Sequence, residues 1–244
     1  MEKIKFLIIM IILFSCNSEK KQILEKKDAK QESFTKNKSS LDINKEESTK
    51  DFTNFIADGF EIAVVQNKKK IVFGDLNQDG FQDFVAVLVN SNTNIEDNDP
   101  EEVRIAIYEG SENNRYIQKA LSGNLTSAFI YNENPTLKIT SPILSVSHQS
   151  MRHDYEVKFR FEKKHNDYML IGSELNNYGN ATHDGAGNTS INFLTKTKIK
   201  KVFAYDHEKE KLKELKPVVT KIEEDLISIT QISDLNIYKI IGSE

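Results

Sequence analysis

Between residue 52 and the C-terminus the apolar residues come in short runs, and where a period is visible it is two. The clearest case is residues 155–161, where Tyr155, Val157, Phe159 and Phe161 alternate with Glu156, Lys158 and Arg160. Successive side chains of a strand point to opposite faces, so this pattern predicts a half-buried antiparallel strand. A polar stretch at 163–167 and an apolar return at 168–171 make it the first arm of a hairpin. Residues 201–205 and 211–215, joined by a turn at 206–210, predict a second hairpin. Further strands are predicted at 69–73, 83–89, 103–108 and 116–121. Around Pro142, the residues Leu137, Ile139, Ile143, Leu144 and Val146 predict two short strands or one bulged edge strand, because proline cannot donate to a ladder. Residues 52–62 predict a helical turn followed by a strand. Residues 122–135 are less regular, with Asn134-Pro135 marking a turn. Residues 176–188, with Gly179, Gly185 and Gly187, form the longest polar loop. The C-terminus predicts a helical turn over 223–229 and a final strand over 236–241. The fold class expected is mainly β: one antiparallel β domain over residues 51–244, a curved sheet or sandwich-like, with a few short helices.

The first fifty residues break this pattern. Lys3 and Lys5 precede nine uncharged apolar residues, Phe6 to Phe14. As a helix these span about 14 Å, too short for a hydrocarbon core of about 30 Å. The shape is that of a signal peptide. It ends in Leu13-Phe14-Ser15-Cys16, which resembles the lipobox of bacterial lipoproteins, with a bulkier residue than usual at Phe14. That resemblance implies that residues 1–16 hold the signal peptide and that Cys16 becomes the acylated mature N-terminus. Palmitate-type chains there would give an anchor firmer than one myristoyl group. Asn17, where an aspartate would often signal inner-membrane retention, favours the outer membrane, facing either the periplasm or the surface. An uncleaved N-terminal membrane anchor is the plainer alternative. Residues 17–50, rich in Lys, Glu, Ser, Asn and Gln, have too little apolar surface to offset their ordering entropy. They are expected to be a disordered linker.

Charge separates the same segments. Residues 1–50 carry 11 Lys/Arg and 8 Asp/Glu, and residues 51–244 carry 22 and 29. The β domain is therefore the acidic part, which offers no basic footprint for nucleic acid. The lone cysteine, Cys16, excludes a disulfide within one chain.

Acidity becomes specific at Gly74-Asp75-Leu76-Asn77-Gln78-Asp79-Gly80-Phe81-Gln82-Asp83. Oxygen-bearing side chains recur at loop positions 1, 3, 5 and 9, with glycine at position 6. Ca²⁺ takes about six to eight oxygens, and alternate residues of a tight loop can all aim inward. Asp75, Asn77, Asp79 and Asp83 would supply side-chain oxygens, and Phe81 its carbonyl. An EF-hand would need glutamate at position 12 and flanking helices. Position 12 is Ala86, inside a run that predicts a strand. A polar Asn/Asp/Gly turn holding no ion is the alternative.

The loop resembles the Asp-x-Asp/Asn-x-Asp-Gly-x-x-Asp turn of FG-GAP, VCBS and integrin-type repeats. Together with Phe55-Ile56, Gly59-Phe60-Glu61-Ile62, Phe159-Arg160-Phe161 and the 168–172 and 189–195 segments, the chain resembles poorly characterised bacterial envelope lipoproteins carrying one such loop. The resemblance implies a Ca²⁺ site and does not by itself imply any activity. The Gly-Ala-Pro that closes an FG-GAP repeat is absent, and one loop without a visible repeat does not make a propeller.

Other chemistry is weaker. Ile95-Glu96-Asp97-Asn98-Asp99-Pro100-Glu101-Glu102 could form a second cation site, but such runs are usually solvated loops. His153-Asp154 and His183-Asp184 suggest proton-transfer pairs, yet no zinc spacing, nucleophile elbow or phosphate loop is present. His148, His165 and His207 add none, and no catalytic residue is assigned. The expectation is a non-catalytic, membrane-tethered module that binds a protein or glycan or serves structure. A hydrolase of envelope or extracellular polymer, and a toxin-inhibitor or immunity-type lipoprotein, are the alternatives.

Overall fold

The computed structural model describes residues 52–90, 102–125, 135–206 and 208–243. The leader, Cys16, the 17–50 segment, most of the acidic run and His207 lie outside the described residues. The strands are β1 (Phe60–Ile62), β2 (Val64–Val65), β3 (Lys68–Lys69), β4 (Ile71–Gly74), β5 (Asp83–Asn90), β6 (Val103–Ser111), β7 (Arg115–Leu121) and β8 (Thr136–Thr140). They continue as β9 (Ile143–Gln149), β10 (His153–Glu162), β11 (Asp167–Asn177), β12 (Gly187–Asn192), β13 (Thr197–Asp206), β14 (Lys211–Glu214) and β15 (Val218–Lys221). Among the described residues one α-helix follows, α1 (Ile237–Ile241). The fold is mainly β, and among the described residues every ladder is antiparallel.

Two sheets and a small ribbon result. The smaller sheet runs β5-β6-β7, with the outer edge of β5 shared by β1 and β4. The larger runs β13-β12-β11-β10-β9-β8, with β14 and β15 sharing the edge of β13. β2 and β3 pair as a ribbon across Gln66-Asn67, both at positive φ.

Strand β5 explains the arrangement. Its run Phe84–Val89 is apolar at every position, whereas a half-buried strand alternates. Val85 and Val87 point into a core shared with the larger sheet, against Leu144, Val146, Val157 and Leu170. Phe84, Ala86 and Leu88 point the other way, into a second core. Phe52 closes that second core, with Phe55 and Ile56 packed against it, from the 3₁₀ turn at Thr53–Phe55 and its flanks. The predicted helical turn before the first strand thus serves as a lid over the far face of the smaller sheet.

Most predicted strands are present, and three segments differ. Residues 236–241 form α1, not a strand. Ile237, Ile240 and Ile241 are its buried residues, the i, i+3, i+4 spacing of one helix face, and five residues are too few for the period to decide beforehand. Residues 223–228 form no helix. The turn begins at Ile229–Gln231, where the Ser228 side chain accepts from Thr230 N–H and Gln231 accepts from Ser228 N–H in a capping box. The loop expected at 176–188 is shorter, because Asn176 and Asn177 pair with Asn188 and Gly187 in the ladder. Around Pro142 the two-strand alternative holds, with Ser141-Pro142 in the turn between β8 and β9.

Candidate functional site

Residues 75–82 connect β4 to β5, and their geometry follows from oxygens seeking backbone donors. Asp75 accepts from the amides of Asp79 (3.2 Å) and Gly80 (3.1 Å). Asn77 Oδ1 accepts from Asp79 N–H at 3.0 Å, and its Nδ2 donates to Asp79 Oδ2 at 2.9 Å. Asp79 Oδ1 accepts from Phe81 N–H at 2.8 Å. Gly80 sits at φ +88°, a left-handed conformation that a residue without Cβ enters cheaply. Asp75, Asn77 and Asp79 are thereby gathered on one tight turn.

Asp83 stands apart. It is fully buried, with one oxygen accepting from Leu76 N–H at 2.8 Å and the other from Gly110 N–H at 2.9 Å. The carboxylate therefore ties the loop to β6. Burial pushes its pKa up to about 6, opposed by those amide bonds and assisted by the negative charge of Asp79. The close approach depends on Gly110, where a Cβ would lie 2.1 Å from the Gln82 carbonyl oxygen. Leu76 is also fully buried, in the core shared by both sheets. From the larger sheet, Ser141 Oγ donates to the Asp75 carbonyl, and Tyr168 Oη donates to Glu109 Oε1 at 3.1 Å. Burial, with Glu109 next, raises the Tyr168 pKa. The loop is a joint between the two sheets.

The donor set is the right kind for a hard cation: oxygens only, carrying three carboxylates. Side-chain oxygens of Asp75, Asn77, Asp79 and Asp83 with the Phe81 carbonyl would hold the ion, since a carboxylate that accepts one N–H keeps further lone pairs. Among the described residues, however, no three His, Cys, Asp or Glu side chains stand together as a metal-holding group.

Neither His-Asp pair comes together. Neighbours on a strand face opposite ways, and His153 Nδ1 meets Ser150 Oγ at 3.1 Å while Asp154 accepts from Asn176 and Tyr178. His183 Nδ1 lies 3.1 Å from the Tyr178 carbonyl, and Asp184 accepts from Tyr205 N–H at 2.8 Å. The 178–186 loop is closed by its own chain. His148 is buried beside His153 and Tyr155 with its pKa lowered by burial and by His153, and His165 lies in an exposed turn. Sequence reasoning missed Gly110, Ser141 and the Tyr168–Glu109 bond. Each lies 27 or more residues from its partner, so no local pattern carries it.

No protein-family model matches the chain, and no curated protein matches it. Among solved structures, the chain is similar to one described as the structure of a Xanthomonas type IV secretion system related protein, at 13% identity and a TM-score of 0.30. That match covers 62% of this chain and spans 60% of the other.

Proposed function

We propose that the protein is a non-catalytic module of the bacterial envelope, held to the outer membrane by lipid on Cys16, whose β domain is locked by a Ca²⁺-type loop at residues 75–83. The observation that carries this reading is the fully buried Asp83, joined to Leu76 and Gly110. A carboxylate spent on joining two strands is placed for structure. An ion at Asp75, Asn77 and Asp79 would draw the same joint tighter and relieve the repulsion of neighbouring carboxylates.

The test is calorimetry on chelated protein. Binding to the folded state alone adds RT ln(1 + [L]/Kd), so Ca²⁺ at about 100 Kd should stabilise by roughly 2.7 kcal/mol. Asp79→Ala should abolish that gain and Asp184→Ala should leave it intact. No heat and an unchanged melting temperature would reduce the loop to a plain turn. The anchor is tested separately. Mass spectrometry of the membrane fraction should find acylated Cys16 at the mature N-terminus, whereas a Cys16→Ser variant that still fractionates with membranes would sink that part of the proposal.

A further inference from the structure

The larger sheet carries its lysines in an unexpected place. Residues 196–221 hold nine lysines against four carboxylates, a formal charge of +5, while the rest of 51–244 holds 13 and 25, a charge of −12. The register places four of these lysines on one face. Thr189 and Ile191 of β12 are buried, and they pair with Lys200 and Lys198 of β13. Paired residues of an antiparallel ladder share a face, so Lys198 and Lys200 continue the core side of the sheet. Further along β13 the same face bears Ala204 and Asp206, whose partners on β14 are Lys213 and Lys211. Val218, opposite Lys200, is exposed on that face too. The core side of the sheet thus runs out beyond the core as a basic ledge.

Beneath the ledge, where β12 meets the 222–227 segment and α1, lies a cleft of about 410 Å³. Its floor is apolar: Ile191, Phe193, Ile222, Ile227 and Ile240. Lys198 and Lys239 border it, as does Glu224, which lies 3.7 Å from the Lys239 ammonium. Lys198 forms no ion pair among the described residues. The volume falls in the range of small-ligand sites, about 300–1,000 Å³. An apolar trough bordered by the unpaired Lys198, with Lys200 next along the same face of β13, complements a molecule with an apolar body and an anionic end.

We infer that this cleft binds a single-chain anionic amphiphile of fatty-acid type, its acyl chain on the isoleucine floor and its carboxylate at Lys198 and Lys200. The inference is independent of the Ca²⁺ loop, which lies on β4 and β5. The full chain is irradiated with a photoreactive dodecanoate and the labelled peptides are mapped by mass spectrometry. Saturable labelling should fall within residues 191–200 and 222–240, and unlabelled dodecanoate should compete it away. Lys198→Gln with Lys200→Gln, both at surface positions that leave the core intact, should raise the half-labelling concentration about ten- to hundredfold, the range expected for lost charge-assisted bonds. Lys221→Gln, on the opposite face, should leave it unchanged. Labelling that does not saturate, maps elsewhere or ignores the lysine pair would overturn the assignment. Equal competition by dodecyltrimethylammonium or dodecanol would overturn it as well, since the head would then not be read. Competition by inorganic phosphate alone would do the same, since the cleft would then not be used.

Discussion

Phe84→Ala is expected to destabilise the protein by about 3–5 kcal/mol, the range for truncating a buried phenylalanine. Phe84 is fully buried at the centre of the second core. Its ring stacks on Tyr108 at 4.4 Å and 13°, and meets Phe52 at 5.0 Å and Tyr116 at 4.9 Å. Removing it takes a partner from all three rings and leaves a cavity that backbone ladders on both sides prevent from closing. Equilibrium denaturation in urea reads the loss directly. Phe81→Ala is the contrast, because Phe81 is 38% exposed on the loop and should change stability by no more than about 0.5 kcal/mol. Equal effects for the two would mean that the aromatic cluster around Phe52 is not a core at all.

The second core also marks how much of the fold was legible. Alternation at 155–161 was enough to place β10, because one face of that strand meets the core and the other meets water. The unbroken run after Asp83 signals burial on both faces, but a run of that length does not say what covers the second face. The answer lies in Phe52, Phe55 and Ile56, some thirty residues upstream. Only tertiary packing brings them there. At the C-terminus the failure is of another kind. Ile237, Ile240 and Ile241 form one helical stripe, yet a single turn and a short strand bury similar sets of apolar residues, and docking decides between them. Strand β15 was missed because its four residues, Val218-Val219-Thr220-Lys221, show no alternation, all of them being exposed.

The site was legible in its residue types and not in its geometry. Loop spacing singled out Asp75, Asn77, Asp79 and Asp83 as one set of equivalent oxygens. The fold separates them by burial: three lie on the turn at half-buried or exposed positions, and Asp83 opens β5 fully buried. The difference comes from Gly110, which lets β6 approach closely enough for its amide to reach the carboxylate. Nothing within the loop encodes that residue.

This separation has a measurable consequence. Asp83→Ala is expected to destabilise the protein by about 2–5 kcal/mol in the presence of chelator, because it strands the buried Leu76 and Gly110 amides at about 1–3 kcal/mol each. Relief from burying the carboxylate offsets part of this, since burial already lifts its pKa to about 6. Asp83→Asn keeps one acceptor oxygen but turns an amide N–H₂ toward the other donor, so it should fall between alanine and wild type. Asp79→Ala, at an exposed position, loses only the bonds from Phe81 and Asn77 and should cost no more than about 1 kcal/mol under the same conditions. Urea denaturation of the three variants with chelator present separates the roles. If Asp83→Ala and Asp79→Ala cost the same without metal, Asp83 is merely another loop ligand. If the Asp83 loss is larger and added Ca²⁺ does not restore it, the carboxylate is the bolt between β5 and β6, and whatever ion the loop takes acts on a joint that the protein has already closed.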